Sequence, residues 1–85
     1  MTKIRPVPFA DFRRFLQGLG YAEKRAPNAW VFLHPEEGLL AFRLYRDDEP
    51  VGARDLLSTR RFLDLRGVMG ADDFDATLLR TNTPA

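Results

Sequence analysis

One histidine, His34, is the only side chain whose ordinary titration lies near neutral pH, where a general acid or base must trade protons. It closes the run Ala29-Trp30-Val31-Phe32-Leu33-His34 and stands just before Pro35-Glu36-Glu37-Gly38. The expectation is therefore a half-exposed residue at a strand end, beside two carboxylates. Two acidic groups, Asp47-Asp48-Glu49 and Asp72-Asp73-Asp75, have the donors for a cation, but neither has the spacing of a calcium loop or an accompanying histidine. The second group suits a helix start, where carboxylates cap the chain and meet the positive end of the dipole. With no cysteine, thiolate ligands, thiol nucleophiles and disulfides are excluded. There is no Ser/His/Asp arrangement and no phosphate-cradling glycine loop. No metal or cofactor is assigned, and His34 is the one candidate for catalysis.

Two further groups point to binding. Arg54, Arg60, Arg61 and Arg66 lie before and within a second long helix, and Arg13 and Arg14 lie on a first one. Cations near a helix start can meet phosphates, and the same residues also read as a solvated face paired with Asp55 and Asp64. Strand alternation places Trp30, Phe32 and Tyr45 with Arg43 on one sheet face, an aromatic strip of the kind that anchors partners or stacks bases. A homodimer through this strip is one expectation, RNA another, and cover by the chain's own 51–57 segment or N-terminal arm a third.

The elements that position these residues follow from length and periodicity. Eighty-five residues with 45% hydrophobic and 29% charged content suit one folded domain. Thirteen basic against twelve acidic residues leave a net charge of +1, so any nucleic-acid binding must rest on local clustering. No apolar run approaches the roughly 20 residues that cross a membrane, and the N-terminus lacks a secretory apolar stretch; a cytoplasmic protein is expected.

Residues 1–8 read as an extended arm and 80–85 as a frayed tail. Phe9, Phe12, Leu16 and Leu19 share one helical face, predicting a helix over 9–19 that Gly20 stops. Residues 21–26 are a short strand, 29–34 a stronger one, and 39–45 the returning strand after a four-residue turn. Pairing His34 with Leu39 puts Val31, Leu33, Leu40, Phe42 and Leu44 on the core face. Ser58 is the expected cap of a helix carrying Phe62, Leu65 and Met69 up to Gly70, and Asp72 of a last short helix reaching Leu79. Segment 51–57 fits no element. The fold class is α+β, with a three-stranded antiparallel sheet and helices on one face.

This order, together with Leu19-Gly20-Tyr21, Val31-Phe32-Leu33-His34-Pro35 and the second-helix pattern Phe62, Leu65, Gly70, Phe74, resembles the HicA toxin family along most of residues 9–79. The resemblance implies the α-β-β-β-α fold of double-stranded-RNA-binding domains, an mRNA-cleaving activity and a HicB-like antitoxin as partner. It also implies phosphate contacts at the start of the second helix, where Arg54 lies. The family's catalytic histidine lies in a Gly-Ser-His type segment opening the second strand. Aligned on Phe32 and His34-Pro35, that segment is Pro27-Asn28-Ala29-Trp30, with Ala29 at the catalytic position. His34 matches the family's non-catalytic histidine. An alanine cannot move a proton. Two readings result: a HicA-related module that binds RNA or a protein without cleaving, or an active toxin using other residues.

Overall fold

A computed structural model describes residues 6–79; residues 1–5 of the arm expected over 1–8, and the tail expected over 80–85, lie outside the described residues. Helix α1 spans Phe9–Gly18, followed by strands β1 (Ala22–Ala26), β2 (Ala29–His34) and β3 (Gly38–Phe42). Helices α2 (Ala53–Leu65) and α3 (Ala71–Phe74) follow, the latter running into a π-helical turn over Asp75–Leu79. The strands form one antiparallel sheet in the order β1-β2-β3. This is the α+β layout expected from the sequence.

Helix α1 begins where the apolar helical period begins, with Pro8 as the extended residue before it. It buries Phe9, Phe12 and Leu16 against the sheet. Gly20, at φ 98°, takes the left-handed conformation that ends the helix and turns the chain into β1.

The hairpin between β2 and β3 corrects the expected register. His34 pairs with Gly38, not Leu39, so the loop is the three residues 35–37. Gly38 has φ 88°, the left-handed residue that closes a three-residue hairpin, and it belongs to the ladder rather than the turn. This shift of one changes which β2 residues share a face with Leu40 and Phe42. Phe32 and Trp30 turn inward opposite Leu40 and Phe42, and Phe32 is fully buried. Leu40 and Phe42 are buried as expected, but Val31 is only half-buried and Leu33 is 41% exposed. Leu44 is also exposed, because β3 ends at Phe42 and the alternation ends with it.

Helix α2 starts five residues before Ser58, which is an exposed residue within the helix and not its cap. Gly52 is the N-cap and offers no side chain. The buried Tyr45 acts in its place: its hydroxyl accepts the Gly52 N–H at 2.9 Å and donates to Asp55 at 2.5 Å. A cap supplied from outside the helix leaves no local sequence signature, which is why 51–57 fits no element by pattern. Helix α2 ends at Leu65, and Gly67, at φ 72°, turns the chain instead of lying inside a longer helix. Asp72 lies in the first turn of α3, whose N-cap is Gly70.

Burial pushes the Tyr45 phenol above its ordinary value, helped by its hydrogen bond to Asp55, and burial likewise raises Tyr21. A phenol raised in the folded state contributes stability below its unfolded value of about 10 and loses it as pH climbs through the folded value. Stability should therefore hold from neutral pH to about 10 and fall above it. Tyr45→Phe should cost about 1–2 kcal/mol at neutral pH, from the orphaned Gly52 N–H and Asp55, and make the alkaline limb shallower. Urea unfolding at a series of pH values measures both.

Candidate functional site

The residues that could do chemistry are mostly occupied within the chain. His34 lies on the helix-facing side of the sheet, with its ring centroid 5.1 Å from that of Tyr21. Its Nδ1 accepts the backbone N–H groups of both Glu36 and Glu37 at 3.0 Å. That places the ring proton on Nε2 and ties the imidazole to the hairpin loop. Tyr21 donates its hydroxyl to the Glu37 carbonyl, and Arg66 reaches the Glu36 carbonyl and the Glu37 carboxylate. His34 is thus a loop-holding residue. Ala29, which the resemblance to HicA toxins would set at the catalytic position, pairs with Ala26 at the other end of β2 and points to the opposite face.

The arginines divide into two groups. Arg60 makes a bidentate pair with Asp75 at 2.9 and 3.0 Å, joining α2 to the π-helical turn. Arg13 bridges Asp47 and Glu23 and lies 5.4 Å from the Trp30 ring centre. Arg14 is exposed beside Asp11. Arg54 and Arg61 are exposed on α2 with no partner among the described residues. The expected basic cluster is therefore reduced to two unengaged cations on α2 and Arg14 on α1.

The aromatic strip is corrected outright. Phe32 and Tyr45 are core residues, because the register and the end of β3 turn both inward. Tyr45 stacks on Phe9 at 5.2 Å on one side and carries the Arg43 guanidinium at 3.8 Å on the other. Trp30 packs against Phe9 and lies between Arg13 and Arg25. Its indole N–H reaches the Tyr45 carbonyl at 3.4 Å. Arg43 alone stays exposed, held by Glu49, whose carboxyl it keeps below its usual range.

The first acidic group and Asp75 are likewise held by neighbours, and Asp72 and Asp73 lie exposed in the first turn of α3. Asp47 meets Arg13, Glu49 meets Arg43 and the Arg46 N–H, and Asp75 meets Arg60. Among the described residues no three histidine or acidic side chains gather in a way that could hold a metal.

What the corrected register exposes is the other side of the sheet. Partners in an antiparallel ladder share a face, so Ala22, Leu33 and Leu39 point outward together, as do Lys24, Val31 and Ala41, and Ala26 with Ala29. Leu33 and Leu39 are 41% and 52% exposed, and no described element lies over them. The strands place no carboxylate on this face; its charge is Lys24, which has no partner among the described residues. Arg43, just beyond β3, adds no free charge to this face, being paired with Glu49 and stacked on Tyr45.

The chain matches no family model, no curated protein and no solved structure. Its function has to be read from this geometry. The outer face was missed from sequence because it depends on one residue of register. The signal that could have found it is Gly38, since a glycine directly before a returning strand often closes a three-residue loop.

Proposed function

We propose that this chain is a non-catalytic protein-binding module on a HicA-like scaffold. The observation that carries the reading is the outer sheet face, an almost wholly apolar surface that the chain's described elements leave in water. Exposed apolar patches rimmed by charge mark partner sites. The order α-β-β-β-α supports the kinship with HicA, and Ala29 with a loop-bound His34 supports a scaffold without the toxin's chemistry.

Binding to RNA is the weaker use of the same scaffold. Among the described residues of α2 only Arg54 and Arg61 are unengaged, and two phosphate contacts there give a salt slope of only about −2. Proteins that depend on phosphates commonly make several times that number. The homodimer expected through Trp30, Phe32 and Tyr45 loses its basis, since Phe32 and Tyr45 are buried and Trp30 is half-buried against Phe9.

Induced expression in bacteria tests the reading. Growth should continue and mRNA should stay intact, as they should with His34→Ala. Growth arrest with mRNA loss, relieved by a single substitution at His34 or elsewhere, would show an active toxin.

A further inference from the structure

We propose that the occupant of the outer sheet face is an acidic amphipathic helix from a different protein, an inference that rests on the binding-module reading. Three features of the face select this occupant. The first is composition: Ala22, Val31, Leu33, Leu39 and Ala41 make a shallow floor of small and aliphatic side chains, suited to an apolar helical stripe. The second is size. Strands of five or six residues, at about 3.3 Å per residue and about 4.8 Å apart, give a footprint on the order of 15 Å each way. A helix is about 10 Å wide with side chains and rises about 1.5 Å per residue, so three turns cover the patch.

The third is charge. Lys24 stands on the floor without a partner among the described residues, and the strands place no carboxylate beside it. Two copies meeting through this face would bury the Lys24 of each with no carboxylate to meet it, which opposes a symmetric dimer. The footprint also falls short of the roughly 800 Å² per partner of a standard protein interface. Carboxylates flanking the apolar stripe of a foreign helix would instead meet Lys24 directly. The association is of the weak, reversible class, and salt weakens it.

Fluorescence anisotropy with two synthetic helical peptides tests this. Both carry the same leucine stripe; one is flanked by glutamates, the other by lysines. The glutamate peptide should bind the full chain, and the lysine peptide should bind about tenfold more weakly or worse. Leu39→Asp should remove binding, and because Leu39 is half in water its circular dichroism should match wild type. Lys24→Glu should weaken the glutamate peptide and strengthen the lysine peptide. Equal binding of the two peptides, or indifference to Lys24→Glu, would overturn the proposal. Sedimentation in parallel separates this failure from failure of the binding-module reading. A wild type that dimerises, with the dimer lost in Leu39→Asp, would make a second copy the occupant: the module would stand and the foreign helix would fall.

Discussion

Phe32→Ala should destabilise the domain by about 3–5 kcal/mol, while Leu33→Ala, its neighbour, should cost under about 1 kcal/mol. Phe32 is fully buried, pairs with Leu40 across the hairpin and has Phe42 and Phe9 rings within 6.4 Å. Truncation removes a large apolar side chain and leaves a cavity that the rigid sheet cannot close. Leu33 gives up little, since 41% of it already lies in water. Urea unfolding of both variants measures the difference. The reverse order of effects would mean that β2 pairs one residue out of the register described, with Val31 and Leu33 inside.

Phe9→Ala should be nearly as damaging, again about 3–5 kcal/mol, a large share of the roughly 5–15 kcal/mol available to a small domain. Phe9 is where α1, the sheet and the segment leading into α2 converge. Its ring lies 5.2 Å from Tyr45, 5.9 Å from Trp30 and 6.4 Å from Phe12 and Phe32. Its backbone is tied too, with its N–H donating to the Glu49 carbonyl while Val51 donates to the Val7 carbonyl. Losing the ring uncovers Trp30 and loosens the Tyr45 side chain that caps α2. Trp30 is the only tryptophan, so its emission reports the event directly. The variant should show red-shifted emission at neutral pH and an earlier urea midpoint. Unchanged emission would mean that Trp30 is covered by something other than Phe9.

These predictions mark what could be read from the sequence. The first helix was legible because Phe9, Phe12 and Leu16 repeat on one face, and local spacing decides a helical face. The strands were legible from their composition, and so was the burial of Leu40 and Phe42. Which side of β2 meets them was not. That depends on whether Gly38 is counted in the turn or in the ladder, a difference of one residue that alternation converts into a reversal of the β2 faces. The start of α2 was hidden for a different reason. Its cap is a tyrosine hydroxyl brought in by tertiary packing, and no pattern within 51–57 records it. The candidate site shared both weaknesses. The aromatic strip followed from the wrong register, and the arginine cluster counted charges without their partners. Asp75, fifteen residues beyond Arg60, and Glu23, ten beyond Arg13, are contacts that only the fold creates.

A chain that works through the outer face of its sheet should meet its partner on β1, β2 and β3 and not on α2. Backbone amide shifts of the isotope-labelled protein, recorded while the glutamate-flanked peptide and a short RNA are titrated separately, distinguish the two surfaces. The peptide should move the amides of Ala22, Lys24, Val31, Leu33, Leu39 and Ala41, and RNA should cause only small, salt-sensitive changes near Arg54 and Arg61. A saturating RNA response along α2, with the sheet amides unmoved by peptide, would contradict binding through the sheet.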